Sequence, residues 1–267
     1  MILAVDKKRQ SGAVLLVLLI VVVLGMASLL VSKLGKFNTF QQRDQRTMVA
    51  LAEAKSALLG WSVAHPVRSG LMPFPDRNGD GFYDGMSDCT AVITINNLIG
   101  QLPRFNDDLT TFPPPCDDTQ QGLGLLPLDG AGEVLWVAVS PKLLYDDADS
   151  DGDGDAYPII DSALLTLPNS NWFRLFDASG ALLSERVAVV IIAPGLPMDG
   201  QQRTGAAGIE HYLDSVTLGA TTYSNADLNR DFIAADPGVG FNDRLVTITI
   251  DELLDQVDAV QTLRSGG

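Results

Sequence analysis

Residues 7–34 read KKRQSGAVLLVLLIVVVLGMASLLVSKL, a basic cluster followed at once by a long apolar run. The run covers residues 13–31 and is softened only by Gly25 and Ser28. It is longer than the apolar core of a secretory signal and long enough to cross a bilayer as a helix. Because basic residues stay on the cytoplasmic side, the stretch predicts a single-pass inner-membrane protein with its C-terminal part in the periplasm.

The helical pattern continues beyond this run. The chain has no proline between Lys33 and Pro66, and residues that pack on one helix face recur at steps of three, four and seven. These residues are Phe37, Phe40, Met48, Leu51, Ala52, Lys55 through its stem, Leu58 and Leu59. Gly60 and His65-Pro66 predict the end of the helix. We expect one helix of about fifty residues, rising about 1.5 Å per residue.

The remaining sequence predicts strands joined by long loops. Strands are expected at residues 133–140, 172–176, 186–193 and 244–250, with a hairpin turn at 177–180. Thr249 and Glu252 have capping-box spacing and predict a short final helix. The predicted fold class is therefore α+β: a long N-terminal helix, transmembrane in its lower half, packed on an antiparallel β-sheet with large loops.

A basic leader, a glycine and an apolar helix together resemble the type IV prepilin signal. In that family, which includes type IV pilins and type II secretion pseudopilins, a prepilin peptidase cuts after the glycine and usually methylates the new N-terminus. The resemblance implies cleavage between Gly12 and Ala13. Two positions depart from the family pattern, since Ala13 replaces the common Phe and Val17 replaces the usual Glu at the fifth mature position. An uncut signal anchor is the alternative.

A second resemblance covers the chain in scattered blocks. They are LMPFPDRNGDG at 71–81, VVIIAPG at 189–195 and FNDRL at 241–245. These blocks resemble a group of proteobacterial pilin-like proteins, which implies a minor pilin or pseudopilin rather than a major pilin. The implied organisation is a leader at 1–12, a transmembrane helix at 13–34, its extramembrane continuation at 35–65 and a periplasmic or extracellular pilin-like domain at 66–267.

Cys89 and Cys116 are the two cysteines of the chain. Two cysteines in an exported domain usually pair, because that compartment is oxidising. A disulfide closing this loop would add about 3–4 kcal/mol of stability. The family pattern would instead pair Cys89 with position 74, which is Phe74 here, so a link to Cys116 would be a local rearrangement. Two free buried thiols are the alternative.

Acidic runs carry the candidate ligand chemistry. Asp76, Asn78 and Asp80 match the opening of an EF-hand-type loop, and Asp84 falls at its ninth position, although no Glu stands at the twelfth. A denser run contains Asp147, Asp149, Asp151, Asp153 and Asp155. Because close carboxylates repel one another unless a cation neutralises them, we predict Ca²⁺ binding in at least one run. Solvated loops are the alternative.

Two further acidic stretches are expected to be structural. Residues 227–231 predict a loop without metal, and residues 241–244 predict a turn in which Asp243 meets a backbone amide or an arginine.

Composition and motifs narrow the function classes. The chain has 33 acidic and 18 basic residues, which argues against nucleic acid as a partner. It lacks Gly-x-Ser-x-Gly, a phosphate-binding loop and His-Glu-x-x-His, so no enzyme is predicted. The expected function is that of a minor pilin or pseudopilin, at or near the tip of a periplasmic or cell-surface filament, aiding the start of assembly. Its expected partners are other pilins or pseudopilins, prepilin peptidase and the inner membrane. A tip-displayed adhesin and an uncleaved membrane-anchored periplasmic protein are the alternatives.

Overall fold

The computed structural model describes residues 10–64, 69–77, 83–88, 94, 98–105, 122–144, 160–204, 207–227, 229–238 and 240–265. The chain forms two compact units, Met1–Gln45 and Arg46–Gly267. Helix α1 (Gln10–Ala64) contributes to both units and is free of proline and rich in leucine and alanine, which favour helix. The second unit contains the sheet and helix α2 (Ile250–Ser265).

Eight strands are described. They are β1 (Ile99–Gln101), β2 (Trp136–Val139), β3 (Phe173–Asp177), β4 (Leu182–Ala193), β5 (Ser215–Leu218), β6 (Thr221–Ser224), β7 (Asp231–Ala234) and β8 (Arg244–Thr249). Six of them form one sheet in the order β1-β2-β4-β3-β7, with β8 paired to β4. Strands β5 and β6 form a separate antiparallel hairpin.

Strand β4 is the centre of the large sheet. Residues 189–192 pair with β2 and also with β8, so both edges of this part of β4 are occupied. Residues 187–193 are fully buried, as expected for a continuous run of Val, Ile and Ala covered on both faces. The N-terminal half of β4 pairs with β3 across a tight turn. In that turn the Asp177 carboxylate accepts hydrogen bonds from Ser179 N and Ala181 N, and Gly180 supplies the required positive φ of 81°.

The upper part of α1 joins the hydrophobic core of the second unit. Leu51, Ala54 and Leu58 are completely buried in that core, together with the β4 side chains and with Leu253 and Val257 of α2. Lys55 Nζ lies 2.8 Å from Thr247 O of β8 and 2.8 Å from the Glu252 carboxylate of α2. One lysine therefore connects α1 with the strand and the helix that end the chain.

Several local predictions are confirmed. Strands β2, β3, β4 and β8 lie where the pattern placed strands, with the hairpin turn between β3 and β4. Helix α2 begins after Thr249, whose Oγ1 accepts a hydrogen bond from Glu252 N at 3.2 Å, as the capping-box spacing predicted.

The predicted fold class is wrong. The sheet is mixed rather than antiparallel, because β7 runs parallel to β3 along the register Arg174–Asp231 to Asp177–Ala234. A strand's apolar pattern reveals its position but not its direction, and here β4, which lies between β3 and β7 in the sequence, runs antiparallel to β3. Among the described residues, the predicted transmembrane lower half of α1 is not found either.

The predicted localisation is also wrong. Among the described residues, no helix combines the length and the apolar character needed to cross a membrane. This overturns the prediction of a single-pass inner-membrane protein with a periplasmic C-terminal domain. That prediction rested on the length of the apolar run at residues 13–31 in the sequence.

Candidate functional site

The first candidate surface is the apolar segment of α1, defined here as residues 14–26. Its large apolar side chains are exposed, from 46% for Ile20 to 69% for Leu15. Val14, Val17, Leu18 and Val21 line a shallow groove on this segment. Their spacing of three, four and seven residues places them on one face of the helix. The segment therefore presents an apolar stripe suited to another apolar helix.

The predicted processing site lies at the start of the same helix. Gly12 and Ala13 fall within the first turn of α1, which begins at Gln10. The basic leader, residues 1–9, lies outside the described residues.

Asp76 is the most unusual of the predicted metal ligands. Its backbone pairs with Gln101 of β1 through two hydrogen bonds, Asp76 N to Gln101 O at 2.9 Å and Gln101 N to Asp76 O at 2.6 Å. This strand-like contact is close: a Cβ at Gly100 would lie 2.2 Å from Asp76 O, so only glycine fits there. Asp76 is consequently held against the sheet with none of its surface exposed.

The Asp76 carboxyl group is only half satisfied. Its Oδ2 accepts a hydrogen bond from Gly85 N at 2.7 Å, whereas its buried Oδ1 has no hydrogen-bond partner among the described residues. Burial raises the pKa of Asp76 to about 8, and the charges of Asp88 and Asp84 act in the same direction against the Gly85 hydrogen bond and Arg104. Such a group requires a proton or a cation at its open oxygen.

The other predicted calcium ligands are only partly described. Asp84 lies in the same loop as Gly85, and its Oδ1 accepts a hydrogen bond from Met86 N at 2.8 Å. Asn78, Asp80 and residues 147–155 lie outside the described residues, as do Cys89 and Cys116. Within the part of the chain that is described, no three His, Cys, Asp or Glu side chains are grouped to hold a metal. The open oxygen of Asp76 fits a cation ligand, and Ca²⁺ binding stays a prediction.

A pair of buried carboxyls, Asp214 and Asp243, lies just before strands β5 and β8. Asp243 is 1% exposed, and its Oδ2 accepts hydrogen bonds from Asp214 N at 2.9 Å and from Asn225 Nδ2 at 3.0 Å. The prediction that Asp243 meets a backbone amide is confirmed. Sequence reasoning missed Asp214, a lone acid after Tyr212-Leu213 with no motif around it. Its carboxylate accepts from Gln201 Nε2 at 2.9 Å and from Asn242 N at 2.7 Å.

The positive charge of Arg203 lowers the pKa of both carboxyls, and its donors are engaged by other partners. Its side chain is 5% exposed and lies 3.3 Å from the Glu133 carboxylate. The guanidinium also donates to the carbonyls of residues 194, 195, 211 and 212 and to Gln201 Oε1. Arg203 therefore fixes the loops around residues 194–212 and also favours the ionised form of the two buried acids.

The described residues 227, 229 and 230 lie in the loop before β7, as predicted, whereas Asp231 is the first residue of that strand. Asp227 accepts hydrogen bonds from Asn229 N at 3.2 Å and Asn229 Nδ2 at 2.8 Å, and Asp231 forms a two-point ion pair with Arg174. Arg230 between them has a positive φ of 73°, which is uncommon outside glycine. These acids are thus engaged in local structure.

Comparison of the chain with protein family models, with curated proteins and with solved structures found no match in any of the three. Its function must be argued from its own residues.

Proposed function

We propose that this protein is a structural subunit of a pilus or secretion filament, of the minor pilin or pseudopilin type. The observation that carries the proposal is the exposed apolar segment of α1. A contiguous apolar surface of this kind marks a contact site, because water is an unfavourable neighbour for it. A filament whose subunits pack their apolar helices side by side would cover that surface.

The stripe along Val14, Val17, Leu18 and Val21 fits this packing. Side chains at these spacings form ridges that enter the grooves of a second helix. Each apolar side chain that becomes fully buried contributes about 1.5–3 kcal/mol. A few such contacts per subunit are enough to hold a filament together.

The upper part of α1 supports the same reading. Leu51 and Leu58 are completely buried, and Lys55 binds both β8 and α2. Residues 46–64 of α1 are thereby secured in the folded unit Arg46–Gly267. A subunit of this design can join a filament by one end of a helix without unfolding its sheet.

The identity of residue 17 favours a position at or near the tip. In the family that the leader resembles, a Glu at this place is thought to meet the N-terminal amine of the subunit ahead. Val17 has no charge to offer such an amine, and it is 59% exposed. A subunit with no neighbour ahead does not need the Glu, because an unpaired carboxylate in an apolar contact is unfavourable. We therefore place this protein among the few subunits that start assembly.

The leader also implies processing by prepilin peptidase between Gly12 and Ala13. Intact-mass measurement of the chain from its native host should show a mature form that begins at Ala13. Gly12→Leu should leave the precursor uncut, whereas Gln10→Ala should be cut normally. A wild-type chain that retains Met1 would contradict this step.

The filament contact is tested by changing the stripe. Leu18→Asp combined with Val21→Asp introduces two charges into the proposed contact and should remove the protein from the sheared filament fraction. The matched control is Gln41→Asp combined with Gln45→Asp, which adds the same charges at exposed polar positions of the same helix. Equal recovery of both variants with filaments would contradict the proposal.

We also propose that Asp76 binds Ca²⁺, since its buried Oδ1 lacks a partner among the described residues and hard cations prefer carboxylate oxygens. The other predicted ligands are retained as candidates: Asn78, Asp80, Asp84, Asp147, Asp149, Asp151, Asp153 and Asp155. Melting curves with Ca²⁺ and with chelator test this proposal.

A further inference from the structure

The buried pair Asp214 and Asp243 has no part in the proposed filament contact, yet it occupies a defined place in the fold. Asp214 directly precedes β5 and Asn225 directly follows β6, so the two residues lie at the base of the β5–β6 hairpin. Asn225 N donates to Asp214 O at 2.9 Å and closes the base of the hairpin.

One oxygen atom of Asp243 binds both residues at the base of the hairpin. Asp243 Oδ2 accepts from Asp214 N and from Asn225 Nδ2, and Asp243 directly precedes β8 of the large sheet. Asn225 extends the connection to β7, since its Oδ1 accepts from Ile233 N at 2.9 Å and its Nδ2 lies 3.3 Å from Ile233 O. The hairpin is thus fastened to the six-stranded sheet through Asp243 and Asn225.

The two carboxyls at this connection between hairpin and sheet are not fully compensated by hydrogen bonds. Asp214 lies against Asp243, and Asp243 Oδ1 is buried without a hydrogen-bond partner in the described part of the chain. Arg203 favours the ionised form of both carboxyls, but it also pairs with Glu133 at 3.3 Å. Two neighbouring buried carboxyls, one of which has an oxygen without a hydrogen-bond partner among the described residues, favour retention of a proton.

We propose that Asp214 and Asp243 form a pH-sensitive latch, which fastens the β5–β6 hairpin to the sheet while the pair holds a proton and loosens it when both carboxyls ionise.

The direction of the effect follows from burial. Desolvation raises the pKa of both carboxyls, and the charge of Asp214 raises that of Asp243 further, against the opposing influence of Arg203 and the local hydrogen bonds. A carboxyl whose pKa is raised in the folded state is fully stabilising below its unfolded pKa near 4, and this contribution is lost as the pH rises through the folded pKa. The latch is therefore closed in acid and opens towards alkaline pH.

Hydrogen exchange measured by mass spectrometry tests the latch on the full-length chain in a mild non-ionic detergent. After correction for the intrinsic exchange rate, protection of peptides covering β5 and β6 should fall as the pH rises from 5 to 9. The fall should reach up to about tenfold per pH unit where one carboxyl titrates. Peptides from β4 should keep their protection.

Two amide variants make the result decisive. Asp243→Asn keeps an oxygen acceptor for Asp214 N and Asn225 Nδ2 but cannot ionise, so hairpin protection should become independent of pH. Asp214→Asn should flatten the pH dependence in the same way and serves if the first variant does not fold. Asp161→Asn, at an exposed position on another loop, should behave like the wild type. Wild-type protection that is constant with pH, or a wild-type pH dependence that persists in both amide variants, would overturn the latch. Both results leave the filament proposal untouched.

Discussion

Replacing Asp76 by asparagine should abolish a loss of folding stability that we expect in the wild type as the pH rises. In the wild type without metal, the folded protein keeps Asp76 protonated up to a pKa of about 8, whereas the unfolded chain ionises it near the ordinary value of 3.8. The unfolded state therefore binds fewer protons between these values. The contribution of Asp76 is complete below pH 4 and is lost as the pH rises through 8.

The change in the free energy of unfolding per pH unit sets the size of this loss of stability. One proton bound in the folded state and absent from the unfolded state changes the free energy of unfolding by about 1.4 kcal/mol per pH unit. Between pH 5 and pH 7 the wild type should thus lose about 2.7 kcal/mol through this group alone. Asp76→Asn keeps an oxygen that can accept from Gly85 N, contains no ionisable proton, and should lack this slope.

Urea unfolding in chelator-containing buffer at pH 5, 6, 7 and 8 measures both proteins directly. The free energy of unfolding of the wild type should fall relative to that of Asp76→Asn across the series, and the two curves should converge towards low pH. Asp255→Asn is the control, because Asp255 is an exposed carboxylate on α2. Parallel pH profiles for wild type and Asp76→Asn would refute the reasoning about the buried carboxyl.

Three further outcomes are expected. Calcium should raise the melting temperature of the wild type, and chelator should reverse the rise. At a Ca²⁺ concentration a hundred times Kd, the free energy of unfolding should increase by about 2.7 kcal/mol. No shift of the melting temperature at millimolar Ca²⁺ would contradict the proposed site. Non-reducing peptide mass spectrometry of protein isolated from its native host should find a Cys89–Cys116 link, and complete alkylation of both thiols in the folded protein would exclude it. Arg203→Met should lower the free energy of unfolding by about 3 kcal/mol or more, because Glu133 and several carbonyls lose their buried partner. Chemical unfolding measures this change. A loss below about 1 kcal/mol would show that these contacts are dispensable.

Local structure was predictable from the sequence wherever one short pattern dominates. The β-branched run that became β4 and the Asp177–Gly180 turn before it are defined by residues within about a dozen positions of each other. The start of α2 depends on Thr249 and Glu252, which are three residues apart. These features need no information from distant parts of the chain.

The arrangement of the sheet was not predictable in the same way. The parallel pairing of β3 with β7 joins Arg174 to Asp231, 57 residues apart, and nothing in either strand's pattern specifies direction. The membrane prediction failed for a related reason, since it treated an apolar run as sufficient for a membrane-spanning helix.

In the candidate sites too, local patterns were predictable from the sequence and contacts between distant residues were not. Asp76 was singled out because it begins an Asp-x-Asn-x-Asp spacing, but its burial depends on β1 and on Gly100, which the spacing does not mention. Asp214 was missed because its importance depends on Asp243 and Asn225, which reach it only through the folded backbone. A pairwise tertiary contact between isolated acids leaves no local signal in the sequence.

The central claim is membership of a filament, and gold labelling tests it most directly. A small tag placed after Gly267 in the full-length chain should be detected on filaments sheared from the native host, with gold at one end of each labelled filament. Label spaced regularly along the shaft would contradict the tip position while keeping the protein in the filament. Filaments that carry no gold, from cells in which the tagged protein is made and stable, would contradict the claim itself.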